Sequence, residues 1–168
     1  MGYASQGQHI GHQENGHQRH DEIAWGKVNV PISVEKFDNL YRKAIAYLQN
    51  RDVFVFDGFA GADSKYRIGV RVVNELASQN MFIHQLLLRP TSEELASYTP
   101  DFNIIAVPGL KAIPELDGVH SEAAIIVSFE RKIVLVIGSQ YAGEIKKSIF
   151  SVMNYLLPKQ GVFSMWYT

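Results

Sequence analysis

The sequence predicts an α/β domain of mixed α+β character, built on a mixed parallel and antiparallel sheet flanked by helices. Three observations carry that expectation. Short apolar runs at 53–56, 68–72, 102–107 and 123–138 have the length and β-branched content of strands. Amphipathic patterns of helical period at 34–48 and 145–156 are interspersed with them. The run at 123–138 is interrupted by a short charged turn, so two of its strands form an antiparallel hairpin inside an otherwise alternating order.

The chain opens on "MGYASQGQHIGHQENGHQRH", which holds four of the six histidines and very little to bury. Residues 1–20 therefore read as a disordered His-rich tail, with the domain at 21–168. His9 and His12, then His17 and His20, are spaced as metal ligands can be, although a flexible tail needs no metal to explain them. Pro31 and Ser33 introduce a helix with Val34, Phe37, Leu40, Tyr41, Ile45 and Leu48 on one face, ending near Asn50.

Val53 to Phe56 reads as a strand closed by an acidic, glycine-rich turn. Gly58 and Gly61 there serve either a tight turn or the close approach of a ligand. In "YRIGVRVVNE", Ile68, Val70 and Val72 alternate with Arg67, Gly69 and Arg71, a half-buried strand whose arginines meet carboxylates or water. Residues 76–88 read as helical. Thr91 and Glu94 form a capping box for a short helix that Pro100 breaks. "FNIIAVPG" is a buried strand with a proline stop, and "AAIIVSFERKIVLVIG" gives two strands turning around Glu130 and Arg131. Ile133, Leu135 and Ile149 are expected to pack against one another in the core. "GVFSMWYT" reads as a further strand within which the chain stops.

Bulk properties narrow the function. At 168 residues, 46% hydrophobic and 20% charged, the chain makes one domain with a sizeable core. A net charge of -1 provides no general basic field for nucleic acid or an anionic membrane, so any anion site must be local. The absence of cysteine removes disulfides, thiolate nucleophiles and cysteine-ligated zinc, and fits the cytoplasm. No stretch resembles a membrane span or a signal peptide.

One segment, "YAGEIKKSIFSVMNYLLPKQG" at 141–161, poses an electrostatic problem. Ile145, Ile149, Val152, Met153 and Leu156 recur at helical spacing, and Pro158 and Gly161 supply the stop. Lys146 and Lys147 then fall in the first turns, where the helix dipole disfavours cations. Neighbouring side chains on a helix diverge by about 100°, so the two cannot share a direction, yet both can flank one concave site. An anion there resolves the conflict. Two solvated surface lysines are the plainer account of the same residues.

Taken together, residues 22–165 resemble the N-terminal part of the ATP-dependent phosphoenolpyruvate carboxykinase family. The resemblance lies in "VFVFDGFAGADSKYRIGVRVVNE", in "LRPTSEEL" followed by "PDFNIIAVPG", and in "YAGEIKKSIFSVMNYLLPKQGVFSM". Several separate blocks in order are more specific than one short motif. The resemblance implies a gluconeogenic lyase that decarboxylates oxaloacetate and phosphorylates the enolate with ATP, giving phosphoenolpyruvate, carbon dioxide and ADP with Mn2+ and Mg-ATP as cofactors. Carried over by residue, Lys147 matches a lysine that binds manganese and contacts nucleotide phosphate and substrate. Lys146 matches its neighbour that stabilises the transferring phosphate, and Tyr141 matches a tyrosine lining the oxaloacetate pocket.

Three departures accompany the match. Trp166 stands where the family places a metal-binding histidine, and an indole cannot replace an imidazole ligand. The family's arginine-containing "TGRSPKD" loop should lie where "GQHIGHQENGHQRH" stands, so its role is not transferred to Arg19. No G-x-x-x-x-G-K-[ST] loop is present. The resulting expectation is a fragment truncated before the C-terminal nucleotide-binding domain, with both ends unrelated to the family. Such a chain is inactive alone and binds Mn2+ and ATP at most weakly. The alternative is a non-catalytic anion-binding module derived from the family.

Overall fold

A computed structural model of the chain describes residues 8–12, 23, 26–27 and 29–162. Strands β1 (Gln8–His12) and β2 (Asn29–Ser33) precede helix α1 (Val34–Tyr47), in which Ser33 Oγ caps the first turn by accepting from Lys36 N at 3.3 Å. Strands β3 (Phe54–Ala60) and β4 (Ile68–Asn74) follow, then α2 (Ala77–Leu86) and α3 (Ser92–Ala96). The second half runs β5 (Phe102–Val107), α4 (Pro114–Asp117), β6 (Ala124–Ser128), β7 (Ile133–Ile137) and α5 (Gly143–Leu156), with a 3-10 turn at Pro158–Gln160.

The strands form one sheet in the order β2-β1-β6-β7-β5-β4-β3. β6 with β7 and β3 with β4 are antiparallel, and the remaining neighbours are parallel, which is the mixed sheet the sequence predicted. Both faces are covered, so the central strands are apolar on both sides and read as continuous runs such as "IVLVI". On one face Val70, Val72, Ile104, Val134 and Val136 pack under Ile145, Ile149 and Val152 of α5. On the other, Ile105, Leu135 and Ile137 pack under Phe37, Leu40 and Ala44 of α1. Leu135 and Ile149 are both buried, at 0% and 2% exposure, but on opposite faces. Ile133 is half-buried beside Leu135, so the expected three-way contact is not formed. Successive side chains alternate across a strand, and β7 assigns its odd positions to α1.

Three further expectations are corrected. Gln8–His12 is not disordered: it is an inner strand, parallel to β2 on one side and to β6 on the other. Its order comes from two flanking ladders rather than from its own apolar content. The other tail positions, 1–7 and 13–20, lie outside the described residues, as does the expected strand beyond Val162. Asp57 and Gly58 do not turn but continue β3, and the turn begins at Gly61 with φ +103°. A Cβ on Gly58 would lie 2.5 Å from the Phe56 ring and 3.0 Å from Leu88 O, so this glycine admits the protein's own chain after α2. Phe59 and Leu88 exchange backbone hydrogen bonds there at 2.9 Å each. Finally, Leu157 rather than Leu156 is the fully buried residue at the end of α5. Among the described residues no helix is long and apolar enough to cross a membrane.

Candidate functional site

The parallel strands β4, β5 and β7 end at one edge of the sheet, where open α/β sheets present their ligand sites. Gly138 turns the chain out of β7 with φ +71°, and a Cβ there would meet Glu122 O at 2.5 Å, so only glycine fits this exit. Ser139 and Tyr141 follow, and α5 starts at Gly143. Gly143 is buried beneath the Tyr141 ring, which occupies the space a Cβ would need. The glycine therefore lets the ring lie flat against the first turn.

Tyr141 is exposed, at 63%, and the Lys147 Nζ lies 5.5 Å from its ring centroid. Lys147 also donates to Glu144 Oε1 at 3.4 Å, one helical turn back. Lys146 points elsewhere, with its Nζ 5.4 Å from the Phe150 ring centroid. The structure thus brings Tyr141 and Lys147 together with Glu144, and separates Lys146 from them. That divergence follows from the rotation of about 100° per residue along a helix.

Behind this cluster lies a buried amide group that sequence reasoning missed. Gln79 is fully buried and donates through Nε2 to Ser139 O at 3.2 Å, tying α2 to the segment that presents Tyr141. Among the described residues its Oε1 has no hydrogen-bond partner. Asn80 donates to Asn74 Oδ1 at 3.1 Å, and Asn74 donates to Leu76 O at 2.6 Å. Buried amides require partners, and three of them in "NELASQN" were the available signal.

The arginines of β4 are committed to structure. Arg71 forms a two-pronged pair with Asp57, Nε to Oδ1 and Nη2 to Oδ2 at 2.7 Å each. Bonding to Asp57 raises the Arg71 pKa still further. Arg67 pairs with Glu94 and lies 3.7 Å above the Phe59 ring. Glu94 closes the predicted capping box with Thr91, and the Thr91 N–H, then Arg67, hold its carboxyl below the ordinary range. Tyr98 donates to Gly58 O at 2.7 Å, and burial, aided by the Asp57 charge, pushes its phenol up to about 12.

For a divalent metal the described residues are a poor set. No three His, Cys, Asp or Glu side chains converge among them. Lys147 donates to Glu144, and metal ligation would require it to lose one of its three protons and act as the neutral amine. Arg19 and Trp166 lie outside the described residues.

Comparison with known proteins gives a consistent answer. A family model described as phosphoenolpyruvate carboxykinase matches residues 7–168, extending beyond 22–165 at both ends, so residues 7–21 and 166–168, expected to be foreign to the family, fall within its match. A Moorella thermoacetica protein named phosphoenolpyruvate carboxykinase (ATP) 1 is 60% identical over 146 residues, covering 87% of this chain and 28% of that protein. A phosphoenolpyruvate carboxykinase (ATP) of Caldanaerobacter subterraneus is 58% identical with the same coverage. One of Lysinibacillus sphaericus is 60% identical over 86% of this chain and 28% of its own length. The chain thus spans little more than a quarter of the curated relatives it matches.

Proposed function

The chain belongs to the phosphoenolpyruvate carboxykinase family, and from that premise we propose that it is the substrate-side portion of an ATP-dependent enzyme converting oxaloacetate to phosphoenolpyruvate. The observation that carries the reading is the convergence of Tyr141 and Lys147 at the start of α5, beside the ends of the parallel strands. In the reaction the bond from oxaloacetate to its departing carboxylate breaks, and the electron pair forms an enolate. The enolate oxygen then attacks the terminal phosphorus of ATP, releasing ADP.

Both steps develop negative charge, which fixed cations stabilise if they are aimed before the reaction begins. Lys147, held by Glu144 and the Tyr141 ring, binds the anionic keto acid and orients it. The Tyr141 hydroxyl and ring edge border the same substrate. Lys146, directed along Phe150, takes the neighbouring position and serves the phosphoryl group. Gln79 positions the Ser139–Tyr141 segment without touching substrate. Divalent metal and ATP supply the Lewis acidity and the phosphoryl group in the whole enzyme, with the remaining ligands outside this chain.

A chimera tests this reading. When the 146 matched residues of the Moorella thermoacetica relative are replaced by those of this chain, phosphoenolpyruvate should form from oxaloacetate and ATP. In that chimera Lys147→Met should lower turnover by about a hundredfold, the scale of losing one preorganised charge. An active chimera whose rate is unaffected by both Lys147→Met and Lys146→Met would leave these lysines as solvated surface groups.

A further inference from the structure

The opposite edge of the sheet carries a second cleft, at the far end of α5 from Lys147 and about 14 Å along the helix from it. Three lysines from three separate segments line it. Lys65 belongs to the β3–β4 turn, Lys132 to the β6–β7 turn and Lys159 to the 3-10 turn after α5. The cleft has a volume of about 380 Å³, with Phe129, Tyr155 and Leu156 among its apolar walls.

Cationic side chains outnumber carboxylates on the lining. Arg67 also lines the cleft but is paired with Glu94, and the lone lining carboxylate, Asp101, accepts from Gly69 N at 2.7 Å and keeps its charge. Among the described residues, neither Lys65 nor Lys132 has a carboxylate within ion-pair distance. Aromatic rings hold two of the lysines over the floor: Lys159 Nζ lies 3.9 Å from the Tyr155 centroid and Lys65 Nζ 5.0 Å from that of Tyr66. The C-terminal end of α5 also borders this cleft, and its carbonyls disfavour an anion. Two of the carbonyls there are engaged, since Met153 O accepts from Leu157 N at 2.9 Å and Leu157 O accepts from Gln160 N and Val162 N at 2.9 and 3.1 Å. The net field at the cleft is therefore positive in a chain whose net charge is -1.

We propose that this cleft binds a small organophosphate, with the phosphate among Lys65, Lys132 and Lys159. Ammonium groups act as point charges and suit a tetrahedral anion approached from several sides, whereas the planar guanidinium fork favoured by carboxylates is already taken. The volume falls near the lower end of small-molecule sites, roughly 300–1,000 Å³, which leaves room for a short carbon skeleton against Phe129 and Leu156. The site is distinct from the lysine pair at the other end of α5 and does not depend on the reaction proposed for it.

Titration of the full chain with ribose 5-phosphate at low ionic strength, followed by backbone amide shifts, tests the assignment. Saturable shifts should centre on residues 65–68, 129–132 and 155–160. Ribose should have no effect, and citrate should bind more weakly than the phosphate. Lys132 has φ +55°, a conformation asparagine adopts readily, so Lys132→Asn removes the charge and keeps the turn. Lys132→Asn and Lys159→Gln should each weaken binding about tenfold. Shifts centred on 141–147, absence of saturation, equal affinity for ribose or citrate, or unchanged affinity in both variants would each overturn the proposal.

Discussion

Cations occur in two contrasting settings on this sheet. Along β3 and β4, Arg71 and Arg67 are each closed onto a carboxylate, and Arg71 holds Asp57 with two bonds of 2.7 Å. At the start of α5, Lys147 reaches its carboxylate by a single contact of 3.4 Å and its side chain is 55% exposed. The first arrangement uses rigid planar forks to fasten neighbouring strands and the α3 cap. The second keeps a mobile point charge near the surface, free to exchange Glu144 for an incoming anion. Similar charges therefore do opposite jobs, one consuming its electrostatics in folding and the other holding it in reserve.

Crossing the two settings gives the sharpest test. In the chimeric enzyme, Lys147→Met should cost about a hundredfold in turnover, or about 2.7 kcal/mol of barrier. Its melting temperature should scarcely move, because exposed pairs contribute at most about 1 kcal/mol. Arg71→Met should reverse this pattern. It leaves Asp57 half-buried without its partner, so unfolding by denaturant should show a loss of about 1–3 kcal/mol with turnover nearly intact. If Arg71→Met impaired turnover as severely as Lys147→Met, the division between structural and functional cations would fail.

The smallest effect concerns Tyr98, which abuts the Arg71–Asp57 pair. Its phenol is raised from the ordinary 10 to about 12, so folding favours the neutral form. That contribution is complete below about pH 10 and is lost as pH climbs toward 12. Melting curves across this interval should fall less steeply for Tyr98→Phe than for the parent chain. Identical slopes would mean that Tyr98 ionises as freely folded as unfolded.

Much of this was legible from local pattern. The period of Phe37, Leu40 and Tyr41, the Thr91–Glu94 box and the charged turn before Lys132 are written within a few residues of one another, and each forms as read. What escaped depended on distant partners. "QHIGH" has no strand signature, and only the β2 and β6 ladders make it one. The "NVPIS" segment contains a proline that argues against an inner strand, and it is tolerated because β2 lies at the sheet edge. Leu135 and Ile149 both read as core, but their faces depend on which helix crosses which side of the sheet. At the candidate site, the adjacent lysines and Tyr141 were visible as a motif. The Glu144 contact and the Gln79 brace required the fold to bring them there.

The position of β1 also bears on how the molecule is made. As translation proceeds, β1 leaves the ribosome before β2 and can pair with it early, but its other edge is complementary to β6, which begins at Ala124. At elongation rates of about 5–20 residues per second that partner emerges on the order of 10 s later. For that interval the nascent chain holds an open row of amides and carbonyls, and this side of β1 cannot close before β6 has been made. The seam between β1 and β6 joins strands far apart in the chain, so its closure waits on synthesis rather than on the speed of local folding.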